Sequence, residues 1–121
     1  MAAENKRQVG GAYEKAAAEY LTGQGFRILE QNFYSRYGEV DIIAKDGRYL
    51  VFIEVKYRKD DSCGSPLEAV TARKQKRICR TALYYCTKKG YGDRTPCRFD
   101  VVAIEGECEV IHIKNAFDFQ Y

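Results

Sequence analysis

A chain of 121 residues with 45% apolar content is sized for one compact domain whose core needs no disulfide framework. Its net charge of +3 is too slight to indicate a polyanionic partner, so the placement of the charges has to carry that argument. The five cysteines (Cys63, Cys79, Cys86, Cys97 and Cys108) are odd in number and include no CxxC pair, which argues against a zinc ribbon and predicts reduced, mostly buried thiols.

The polar start MAAENKRQVGG lacks the apolar core of a signal peptide, and residues 1–10 read as a disordered tail ahead of a single domain. No apolar run approaches the ~20 residues of a membrane helix, so a cytoplasmic protein without membrane contact is expected. Residues 12–23 read as an Ala-rich helix that stops near Gly23 and Gly25. On it, Glu14 shares a stripe with Ala17, Ala18 and Leu21. Its carboxylate either points at the sheet or is a first-turn acid favoured by the helix dipole.

A strand over residues 26–35 follows, and then GEVDIIAKDGRYLVFIEVKYR reads as a hairpin turning at Asp46-Gly47. Alternation puts Tyr49, Val51, Ile53, Val55 and Tyr57 on one face of its second strand and Leu50, Phe52, Glu54 and Lys56 on the other. The first strand divides into Val40, Ile42 and Ala44 against Glu39, Asp41 and Ile43. Two faces that begin apolar therefore end in charge. With Asp46-Gly47 as the turn, Lys45 pairs with Arg48, Asp41 with Phe52, and Glu39 with Glu54. Asp41 is then diagonal to Glu54, ~7–8 Å away, within reach of one shared ion. Clustered carboxylates raise each other's pKa, and a hard divalent cation such as Mg²⁺ relieves that. Lys56 beside them is placed to hold an attacking water. The plainer alternative is a surface salt bridge.

Ser65-Pro66-Leu67-Glu68 predicts an N-cap, a first-turn proline and a capping box for a helix that runs to about Lys89 and closes at Gly90. Arg73, Lys76, Arg77 and Arg80 gather opposite its apolar face, either as a phosphate-backbone stripe or as an ordinary solvated face. Lys74 and Gln75 flank the apolar face, so one of them is placed to reach the cleft. Strands RFDVVAIE and CEVIHIK complete the order α-β-β-β-α-β-β, an α/β fold with helices covering a mixed central sheet. His112, the only histidine, sits between Ile111 and Ile113 and reads as structural, which argues against His-rich metal sites and Ser-His-Asp chemistry. No Gly-rich phosphate loop is present. Tyr34, Tyr37, Tyr57, Tyr84 and other tyrosines supply rings able to stack on bases, although most are expected in or beside the core.

The set Glu14, Asp41 and Glu54-Val55-Lys56 resembles the restriction-endonuclease-like superfamily, marked by an acid, a spacer and (D/E)xK. The hairpin, the Gly-Ser-Pro helix start, RFDVVAIE and HIKNAF together resemble the YraN-type family of small bacterial proteins over about residues 11–117. In size and layout the chain is also similar to archaeal Holliday-junction resolvases. That resemblance implies an αβββαβ core, Asp41 and Glu54 as ligands of Mg²⁺ or Mn²⁺, Lys56 as the catalytic lysine and Glu14 as an accessory acid. Val40 stands where the motif usually has proline, a position that carries no ligand; Glu39 and Gln75 match less closely. The expected activity is metal-dependent hydrolysis of DNA phosphodiesters, with branched DNA as one substrate and a homodimer required for paired cuts at a junction. The alternatives are a nucleic-acid-binding module that does not cut and a protein-interaction domain with a basic helix.

Overall fold

The structure, a computed structural model, describes residues 6–59, 64–106 and 109–120. Helix α1 spans Lys6–Gly23, strands β1, β2 and β3 span Arg27–Ser35, Gly38–Asp46 and Tyr49–Arg58, helix α2 spans Ala72–Lys89, and strands β4 and β5 span Cys97–Glu105 and Glu109–Ile113. One sheet holds all five strands in the order β1-β2-β3-β4-β5. Pairing is antiparallel except between β3 and β4, which lie parallel because the α2 crossover separates them. This mixed α/β arrangement is compatible with the expected αβββαβ core.

The central strand β3 is buried on both faces. Leu50 and Phe52 pack with Ile78, Cys79, Ala82 and Tyr85 of α2. Val51 and Ile53 pack with Ala17, Ala18 and Leu21 of α1. Small residues on α1 let it approach the sheet closely, and burying Leu21 contributes about 1.5–3 kcal/mol.

Four local readings change. Helix α1 starts at Lys6, so residues 6–10 are helical; only residues 1–5 of the expected tail lie outside the described residues. Gly10 and Gly11 lower helix propensity, yet the helical backbone continues through them. The single helix expected from Ser65 is two pieces. Ser65 caps a 3-10 turn over Pro66–Ala69, Val70 is extended, and Thr71 caps α2 by accepting from the Lys74 amide. A second capping hydroxyl is enough to restart the helix on a new axis. At the other end Gly90, at φ 79°, closes α2 as expected. Of the five thiols, Cys79 is buried, Cys86 half-buried and Cys97 exposed, while Cys63 and Cys108 lie outside the described residues.

The hairpin turn also moves. Asp46 pairs with Tyr49 around Gly47-Arg48, so the partners of β2 slide two positions along β3. Gly47 has φ 60° and Arg48 does not have positive φ, the pattern of a turn needing glycine only at its first central position. An even slide preserves every face. The β2–β3 ladder ends at Ile42↔Ile53, and beyond it Val40 joins the α2-side cluster instead of following Ile42. On the other side of β2, Asn32 interrupts β1 with φ 53° at the position facing Asp41.

Candidate active site

Where the β2–β3 ladder stops, the Asp41 carboxylate takes over. Its Oδ2 accepts the Val55 amide at 2.8 Å, a donor that a continuing ladder would give to main chain. Extended by one step, the register places Asp41 directly opposite Glu54, closer than the expected diagonal. Both acids are buried, at 7% and 5% exposure. Burial and then the facing charge of Glu54 push the Asp41 carboxyl up to about 7, with Glu14 and Glu39 adding to the field and the Val55 hydrogen bond opposing it. Glu14, half-buried on α1, is also raised, first by burial and then by Glu39 and Glu54, against a hydrogen bond from Asn32.

Two ammonium groups converge on Glu54. Lys74 Nζ lies 2.7 Å from its Oε1 and Lys56 Nζ 3.4 Å from the same oxygen. Burial and the adjoining Lys74 ammonium hold Lys56 below its ordinary value, against the pull of Glu54. Burial lowers Lys74 too, but hydrogen bonds with Glu54 and Lys56 leave it raised. One lysine is thus eased toward losing its proton while its neighbour is held charged.

Of the two residues flanking the apolar face of α2, Lys74 enters the cleft. Gln75 turns away and donates to the Val70 carbonyl at 3.0 Å, tying α2 to the preceding 3-10 turn. The cations expected along the exposed face divide. Arg73, Lys74 and Arg77 line a recess of about 400 Å³ with Gly38, Glu39 and Thr71, beside the carboxylates. Arg80 lines the next recess along the helix, and Lys76 is exposed but lines neither. Asn32 was not marked by sequence reasoning; its one signal is the tolerance of Asn for positive φ.

His112 is structural, as expected. Its Nε2 meets Asp100 at 2.8 Å and its Nδ1 meets the Tyr20 hydroxyl at 3.2 Å. Asp100, fully buried, also accepts Arg98 Nε and Nη2 at 2.9 and 3.0 Å and the Asn115 amide at 3.0 Å. Burial would raise Asp100, yet these donors hold it below the usual carboxylate range. Every carboxylate oxygen there is matched by a donor, which marks a structural hub, whereas Asp41 is left raised by burial and the facing charge of Glu54, with the Val55 amide opposing them.

Among the described residues, no three His, Cys, Asp or Glu side chains already stand together as a metal cage. The two buried carboxylates are hard oxygen donors, and their mutual repulsion is the property a divalent cation relieves. That chemistry fits Mg²⁺, which takes one or two carboxylates and fills its remaining positions with water and substrate phosphate. Among the described residues, no helix is long and apolar enough to cross a membrane.

Residues 13–104 match the uncharacterised protein family UPF0102. A UPF0102 protein of Lachnoclostridium phytofermentans is 50% identical over 94% of this chain and 96% of its own length. Similar relatives occur in Symbiobacterium thermophilum, 50% identical over 92% of this chain and 97% of the relative, and in Coxiella burnetii, 40% identical over 95% and 96%. The chain belongs to the uncharacterised protein family UPF0102, the YraN family that its hairpin and closing strands resemble.

Proposed function

We propose that this chain is a metal-dependent endonuclease that hydrolyses DNA phosphodiesters at Asp41, Glu54 and Lys56. The observation that supports it most is the convergence of two buried, mutually repelling carboxylates and two lysines where β2 and β3 part. Asp41 and Glu54 would hold Mg²⁺ or Mn²⁺, which when bound neutralises their charge and withdraws charge from the scissile phosphate. Lys56, with its proton loosened, orients the attacking water toward phosphorus. Lys74 stays charged and balances the negative charge that builds on the phosphate. Glu14 adds an accessory carboxylate from α1.

The start of α2 supports a phosphate partner. Arg73 and Lys74 occupy its first turn, where the helix dipole opposes cations by about 0.3–1 kcal/mol each. A bound phosphate reverses that penalty, because helix N-termini and cations attract it together. Arg77 and Arg80 continue the grip along the backbone, which positions the strand without reading its sequence. Lys76 would contribute only at long range.

The test is cleavage of linear, flapped and four-way DNA with Mg²⁺ or Mn²⁺. Wild type should cut, and Lys56→Ala or Glu54→Ala should lose at least 100-fold while keeping the wild-type circular-dichroism spectrum and a cooperative melt. Equal activity in either variant discards the site. A binding module without turnover is the second reading, favoured by the fact that Lys74 and Lys56 already neutralise Glu54. It predicts salt-dependent DNA binding that survives Glu54→Ala and no cleavage with either metal.

A further inference from the structure

The outer stripe of α2 changes character along its length. Arg73, Arg77 and Arg80 give way, at the same helical spacing, to Leu83 and Tyr84, which are 58% and 38% exposed. A solvated helix face normally carries polar groups here, and the β1–β2 turn makes the exception larger by bringing Tyr37 alongside. The Tyr37 and Tyr84 rings lie 6.2 Å apart and inclined by 59°, and with Arg80, Leu83 and Thr87 they line a recess of about 370 Å³. Cations flank both rings. The Arg36 guanidinium sits 5.0 Å from the Tyr37 ring centre and donates to its hydroxyl at 2.8 Å, and Lys88 Nζ is 5.9 Å from the Tyr84 ring.

We propose that the Tyr37–Leu83–Tyr84 recess stacks an unpaired nucleobase, making a single-stranded segment part of the substrate of this site. The proposal rests on the nuclease reading for its relation to cleavage, and on its own geometry for binding. Aromatic faces beside a cationic track are the combination that holds single strands, since any base offers a ring face and every nucleotide a phosphate. Charge decides against a second copy of this chain as the occupant. A two-fold dimer on this face would bring Arg36, Arg80 and Lys88 against the same cations of its mate. A polyanion meets no such repulsion.

Position connects the recess to the carboxylates. Tyr37, Gly38 and Glu39 are consecutive, and Arg80 stands six residues along α2 from Lys74, about 9 Å at the helical rise. At roughly 3.4 Å of rise per nucleotide in a stacked strand, that axial offset corresponds to a few nucleotides. Duplex DNA keeps its bases paired inside and would pass the recess without using it.

The experiment is fluorescence anisotropy with a labelled single-stranded oligodeoxynucleotide and the duplex of the same sequence, in EDTA so that nothing is cut. Tyr84→Ala should weaken single-strand binding roughly tenfold, leave duplex binding within about twofold, and be rescued by Tyr84→Phe, which keeps the ring. Leu83→Ser reads the same surface from a more exposed residue, with a smaller loss on the single strand alone, should Tyr84→Ala melt abnormally. Equal losses on both DNAs, no loss, or a Tyr84→Phe as weak as Tyr84→Ala overturns the proposal. So does a wild-type dimer in sedimentation that Tyr84→Ala dissociates. A protein that binds single strands through Tyr84 but never cuts defeats the nuclease reading alone. One that cuts, yet binds single strands without Tyr84, defeats this recess alone.

Discussion

Asp41→Asn should make the protein more stable in EDTA while abolishing the proposed cleavage. The folded Asp41 carboxyl sits at about 7 against an ordinary 3.8. At about 1.4 kcal/mol per pH step, ionising it in the folded state withdraws at most about 4 kcal/mol. Asparagine returns most of that, because its Oδ1 still accepts the Val55 amide. The charge-assisted part of that bond is already contained in the shift; what asparagine forfeits is the attraction of Asp41 for Lys74. A net gain of about 1–3 kcal/mol remains at pH 8, a rise of roughly 4–12 °C in Tm for a chain of this size. The sign follows from linkage. The folded state binds this proton more tightly than the unfolded chain, so wild-type stability falls as pH rises from about 4 to about 7. The advantage of asparagine is therefore absent below that window, grows through it and levels off above. Circular-dichroism melts of both proteins in EDTA at successive pH values measure it. Adding Mg²⁺ should then raise the wild-type Tm by mass action and leave the variant unmoved. An Asp41→Asn protein less stable than wild type at pH 8, or a difference that ignores pH, would refute the charge-repulsion reasoning.

Asp100→Ala should do the opposite, costing about 3–5 kcal/mol by leaving Arg98 and His112 without their shared buried acceptor. Urea unfolding measures this, and a loss under about 1 kcal/mol would show that Asp46, the other partner of Arg98, suffices. Arg77→Ala should weaken the proposed DNA binding equally for all sequences and reduce the salt dependence of log Kd by about one phosphate contact, read by anisotropy over a salt series. An unchanged slope would return Arg77 to the solvated face.

The readable parts of this fold share one property: their signal is local. The two-sided burial of β3, the acids continuing an apolar face and the Gly90 stop all follow from periodicity and one residue's conformational preference. Within the ladder, up to Ile42 and Ile53, the faces of the hairpin survived a wrong turn position because parity, not the exact partner, assigns a face. What escaped depends on distant partners. Whether Lys74 or Gln75 enters the cleft is decided by how α2 lies on the sheet, and projecting the helix leaves the two equivalent. The break at Val70-Thr71 competes with a good capping box upstream, and only packing of buried Val70 selects it. The displacement of Val40 lies beside the positive-φ Asn32 of the neighbouring strand, which no pattern within β2 announces.

The parallel join between β3 and β4 has a consequence for how the site comes into being. Hairpin β2–β3 closes over a two-residue turn, whereas Leu50 meets Cys97 only after the α2 crossover has formed. Loop closure makes the first event fast and the second slow. Asp41 and Glu54 are therefore brought face to face early, in water, where their repulsion is weak. Lys74 reaches them with the crossover, as the sheet seals and that repulsion would grow. The cleft is thus charge-balanced in the order in which it is desolvated, and a chain stalled before α2 docks would carry bare carboxylates on an open strand edge.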